Sequence, residues 1–112
     1  MTTTETAPPS TIARLNDDFR RHLGPDWMST AGVAAKGPVF VLCATNTVRA
    51  FEAFTIDNDP HGEHDFGAFD LGGERLFWKI DYYDKDLRFG SPDPADPSVT
   101  RRVLTIMLAD EY

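Results

Sequence analysis

The sequence predicts an α+β domain, and three features carry that prediction. Apolar residues recur at helical spacing near the start, in the middle and at the end of the chain. Between residues 65 and 83 the pattern switches to period two. The pair Gly72-Gly73 splits that alternating stretch, as a two-residue hairpin loop does. The expected architecture is a small antiparallel sheet, centred on a hairpin of about 65–71 and 74–83. N-terminal, middle and C-terminal helices pack against it.

Residues 1–9 have the Thr- and Pro-rich composition of a flexible tail, which leaves residues 10–112 as a single domain. Ser10 or Thr11 can cap a first helix, and Gly24-Pro25 stops it near Leu23. Ile12, Leu15, Phe19 and Leu23 form its apolar stripe, so Asp17, Asp18, Arg20 and Arg21 are expected on the solvated side. Irregular chain or a short strand follows, around residues 32–35. Residues 39–43 are strand-like in composition. Phe40, Ala44, Val48 and Phe51 nevertheless continue one helical stripe, so a helix is expected over about 40–54.

If Gly72 and Gly73 are the hairpin loop, the register is determined. Leu71 faces Glu74, Phe69 faces Leu76 and Gly67 faces Trp78, where the glycine leaves room for the indole. On the opposite face Asp70 meets Arg75, Ala68 meets Phe77, Phe66 meets Lys79 and His64 meets Asp81. A hairpin alone is marginal, and a third strand is expected from 32–36 or 86–90. Three prolines make residues 90–97 a stiff connection. Asp96 can then cap a last helix over about 97–110, with Val99, Val103, Ile106 and Met107 as its buried stripe.

The charge narrows the choice of partners. The 112 residues carry a net charge of −7, and 11 of the 18 acids fall between residues 57 and 96. Such a field repels phosphate backbones, so direct nucleic-acid binding is not expected, whereas a basic protein surface suits it. The single cysteine, Cys43, excludes an intrachain disulfide and fits a reducing, cytoplasmic setting; its apolar neighbours predict a buried thiol. No apolar run approaches the roughly 20 residues of a membrane span, and nothing in the sequence sets the oligomeric state.

Three blocks resemble an uncharacterised bacterial family, the domain of unknown function numbered 3768. They are Asp57-Asn-Asp-Pro-His-Gly-Glu-His-Asp-Phe-Gly67, Phe77-Trp-Lys-Ile-Asp-Tyr-Tyr-Asp84, and Gly90-Ser-Pro-Asp-Pro-Ala-Asp-Pro97 running on into the C-terminal residues 102–112. The resemblance brings no activity, cofactor or catalytic residues with it.

The first block concentrates the candidate chemistry. Residues 57–67 hold four carboxylates and two imidazoles and no Lys or Arg. Asp57, Asp59, His61 and Gly62 match positions 1, 3, 5 and 6 of a calcium loop, but Ala68 stands where its bidentate Glu belongs. His61 and His64 with carboxylates suit a transition metal better, though their spacing is not an established zinc signature. The sequence therefore names no metal and no cofactor. If His64 and Asp81 are cross-strand neighbours, the carboxylate can fix the imidazole tautomer for acid–base catalysis. The same pair can equally hold the fold together. Lys79 and Tyr83 flank Asp81 on one face, and with Asp57, Asp59, His61 and Glu63 they make a polar binding surface. The leading expectation is a small acidic cytoplasmic binding or regulatory module; the alternative is a small enzyme using His64 and Asp81, assisted or not by a metal.

Overall fold

The computed structural model describes residues 10–112, so the tail expected at 1–9 lies outside the described residues. In chain order the elements are α1 (Thr11–Arg21), β1 (Trp27–Ser29), α2 (Ala31–Ala34), α3 (Pro38–Arg49), β2 (Phe66–Leu71), β3 (Glu74–Tyr83) and β4 (Arg101–Leu108). A 3-10 turn over Ala109–Glu111 follows. The fold is α+β, as expected. Its sheet has four strands in the order β1-β4-β3-β2, and it is mixed rather than antiparallel because β1 runs parallel to β4.

The hairpin register holds from Leu71↔Glu74 to Phe66↔Lys79. Gly72 and Gly73 take φ of +56° and +80°, which glycine adopts at no steric cost. Gly67 lies opposite Trp78, and a Cβ there would overlap the indole and the Phe51 ring.

The expected C-terminal helix is instead a central strand. Residues 101–108 fit period two as well as period 3.6. Arg102, Leu104 and Ile106 point inward, and β-branched Val103 and Thr105 take the other face. The free edge of β3 decides between the two readings. Pairing Trp78 with Ile106 and Ile80 with Leu104 sets large apolar side chains side by side and completes the sheet. Asp96 accordingly caps a turn rather than a helix, accepting from the Ser98 amide at 2.9 Å and its hydroxyl at 2.7 Å. Neither expected source supplies the third strand. Residues 31–34 are helical, and Gly90 makes one isolated bridge to Tyr83.

The middle helix starts earlier and ends sooner than the sequence suggests. α3 opens with Pro38 behind Gly37 and stops at Arg49. Residues 39–43 are helical, and Cys43 is exposed rather than buried. Phe51 and Phe54 leave the helix yet still pack edge-on against Trp78. The core lies on one face of the sheet, where Leu76, Trp78, Ile80, Leu104 and Ile106 meet Val33, Ala44 and Val48. At the chain end, the Glu111 carboxylate accepts from Thr30 Oγ1 (2.6 Å), Gly32 N (2.9 Å) and Leu108 N (2.8 Å). This clip positions Tyr112 against Phe66 and Phe77 on the other face.

The first helix shows the largest departure. Ser10 caps it, accepting from Ala13 N at 3.0 Å. Its buried stripe is Ala13, Asn16, Asp17 and Arg20, and Leu23 is 58% exposed. Asp17 and Arg20, expected in solvent, pack inward, whereas Asp18 and Arg21 are exposed as expected and Phe19 packs against the core.

Candidate functional site

Burying Asn16, Asp17 and Arg20 requires polar partners, and the folded chain supplies them. Arg20 is 1% exposed. It donates to the carbonyls of Val48 (3.0 Å) and Arg49 (3.1 Å) at the end of α3 and pairs with Asp17 at 2.9 Å. A cation is favoured at that helix terminus. Its guanidinium also lies 5.5 Å from the ring centres of Phe54 and Trp78. Asn16 donates to the Glu63 carbonyl (2.9 Å) and Tyr82 Oη (2.8 Å), and it accepts from Arg102 Nε (2.6 Å). Tyr82 in turn donates to Glu63 Oε1 at 2.9 Å. Burial is the main cause that pushes its phenol pKa up.

His64 belongs to this lattice. Its Nδ1 is 2.9 Å from Asp17 Oδ1, its Nε2 is 3.8 Å from Asp59 Oδ2, and its ring stacks on Phe54 at 4.0 Å. The reason lies in the backbone. Ile80 N still bonds the Asp65 carbonyl, but His64 takes φ of +56°. A left-handed residue breaks the strand's alternation and swings the imidazole toward α1. The expected His64–Asp81 pair therefore does not form; Asp81 pairs with Lys79 at 2.8 Å instead. Asp59 braces the turn, its carboxylate accepting from the amides of Glu63 (3.1 Å) and His64 (3.3 Å).

The other side of the same segment lines a recess of about 290 Å³. Asp59, His61 and Asp65 form one wall. Phe66, Lys79 and Asp81 form the sheet side, with Tyr112 at the rim. Asp65 is the unusual member, because no ion pair among the described residues includes it. Burial first, then the nearby Glu63 and Asp59 carboxylates, raise its pKa above the ordinary aspartate value. Lys79 is held protonated by its hydrogen bond to Asp81.

Of the residues singled out from sequence, Asp59, His61, Lys79 and Asp81 come together here. His64 and Glu63 turn into the buried lattice, Asp57 stays exposed in the preceding turn, and Tyr83 lies farther along β3. Sequence reasoning passed over Asp65 and Tyr112. It also missed Asn16, Asp17 and Arg20, although Ala13-Asn16-Asp17-Arg20 has the i, i+3, i+4, i+7 spacing of a buried face. Among the described residues, no three His, Cys, Asp or Glu side chains converge as a metal site.

A family model described as "Protein of unknown function (DUF3768)" matches residues 29–111. The chain belongs to the DUF3768 family. The region shared with DUF3768 includes every recess residue named above except Tyr112, whereas α1, with its buried Asn16, Asp17 and Arg20, precedes it. No curated protein and no solved structure matches the chain. No helix among the described residues is long and apolar enough to cross a membrane.

Proposed function

We propose that this protein is a small cytoplasmic binding module whose acidic recess receives a cationic side chain, Arg or Lys, from a basic protein partner. The observation that carries this reading is Asp65, a half-buried carboxylate that makes no ion pair among the described residues, beside Asp59 and Asp81. A charge taken out of water without a partner is costly, and an incoming guanidinium or ammonium removes that cost. Lys79 is already neutralised by Asp81, so the recess retains a negative balance. The chain's net charge of −7 would steer a basic surface toward it. The exposed, free Cys43 supports a reducing compartment.

Titration of the isotopically labelled protein with a hexa-arginine peptide tests the reading. Saturable NMR shifts are expected at Asp59, His61, Asp65 and Asp81. The affinity should fall about tenfold in an Asp65→Asn/Asp81→Asn double variant, or about 1.4 kcal/mol. Shifts spread evenly over the whole acidic surface, or an unchanged affinity in the double variant, would overturn it.

A further inference from the structure

A second recess, of about 310 Å³, lies between α1 and the approach to β4, and its electrostatics are reversed. Three cations line it, Lys85, Arg101 and Arg102, against two carboxylates, Asp18 and Asp26. Of the two carboxylates, Asp26 is held in a close ion pair and Asp18 is exposed. Asp26 takes a two-pronged pair from Arg101 at 2.8 and 3.1 Å, and Asp18 lies 3.4 Å from His22. Arg102 is different. It is 7% exposed, yet no carboxylate pairs with it. Its Nε and Nη2 donate to neutral oxygens, Asn16 Oδ1 at 2.6 Å and the Pro94 carbonyl at 2.5 Å, and its guanidinium sits 5.2 Å from the Tyr82 ring centre. Its Nη1 has no partner among the described residues, and it is not among the buried polar atoms sealed from solvent.

A buried guanidinium that lines a recess and has no carboxylate partner is half of an anion site. Lys85 stands at the same recess, and Leu15, Phe19 and Pro97 give it an apolar wall; the Thr100 hydroxyl is committed to the Asp93 carbonyl at 2.8 Å. With Arg101 paired to Asp26 and Lys85 within electrostatic reach of Asp96, Arg102 is the lining cation without a carboxylate, which suits one negative charge. A dianion would face Asp18 and Asp26.

We propose that this recess binds a small organic monocarboxylate, its carboxylate against Arg102 and Lys85 and its apolar body against Leu15, Phe19 and Pro97. The volume fits a ligand at the small end of the usual range. The site is separate from the acidic recess and independent of what that recess binds.

NMR titration with benzoate, benzylammonium and inorganic phosphate decides the matter. Benzoate should give saturable shifts at Lys85, Thr100, Arg101 and Arg102, while benzylammonium and phosphate should give none there. Lys85→Gln, a change outside the buried lattice, should weaken benzoate about three- to fivefold. Arg102→Gln should abolish its binding, provided its melting curve shows a folded protein; if it does not fold, Lys85→Gln decides. Absence of benzoate shifts, equal shifts from benzylammonium, saturation by phosphate at similar concentrations, or an unweakened Lys85→Gln variant would each overturn the proposal.

Discussion

The segment joining α3 to β2 feeds two clusters of charge built in opposite ways. Inward, Glu63 and His64 meet Asn16, Asp17, Arg20 and Tyr82, and all but Arg20 Nε of the buried polar atoms in this group find partners. Outward, His61 and Asp65 face a recess in which Asp65 makes no ion pair among the described residues. A satisfied buried network holds one arrangement rigidly, whereas an unsatisfied half-buried charge is available for a ligand. Two histidines three residues apart thus have different duties, and composition alone does not separate them. Asp59 belongs to both clusters: its carboxylate braces the Glu63 and His64 amides, and its residue walls the recess.

The comparison is broken most forcefully at Arg20. Arg20→Met leaves the Asp17 carboxylate without its cation and the Val48 and Arg49 carbonyls without a donor. The expected loss is about 3–5 kcal/mol, read from urea unfolding. A loss below about 1 kcal/mol would mean that the lattice contributes little and that α1 is held by its apolar edge alone.

What was legible in the sequence follows the same division. The hairpin could be read because it depends on local chemistry: two glycines with positive φ, and an alternation that one register satisfies. The inward face of α1 could not, because its warrant is non-local. Asn16, Asp17 and Arg20 are solvated residues until Glu63, His64, Tyr82 and the end of α3 arrive to satisfy them. β4 was hidden for a related reason. Val99, Val103, Ile106 and Met107 fit a helix in isolation, and only the free edge of β3 makes the strand the better choice. At the recess, Asp59, His61, Lys79 and Asp81 were legible as a polar group. The register carried them together, whereas the single left-handed residue that removed His64 has no signature in the sequence.

The paired histidines give a sharper and smaller test. His64→Ala removes the contacts to Asp17 and the stack on Phe54, and should cost about 1–2 kcal/mol. His61→Ala, on the exposed side of the turn, should stay within about 0.5 kcal/mol of the parent. Equal losses in the two variants, measured by denaturant unfolding, would erase the distinction between the inner and outer clusters.

The smallest effect has the opposite sign. Folding raises the pKa of Asp65 above its unfolded value near 4, so the folded state holds this proton more tightly than the unfolded chain does. The contribution of Asp65 to stability is then fully present below about pH 4 and is lost as pH rises through the raised folded value. At neutral pH the ionised carboxylate is a net cost. Asp65→Asn, which keeps the shape and removes the charge, should therefore be slightly more stable than the parent at pH 7, by at most about 1 kcal/mol. The gap should close as pH falls below about 4. Hexa-arginine should stabilise the parent more than it stabilises Asp65→Asn, because the variant lacks the recess carboxylate that makes no ion pair of its own. A variant less stable than the parent at pH 7 would place Asp65 with the satisfied groups of the lattice, and the recess would lose the feature that sets it apart.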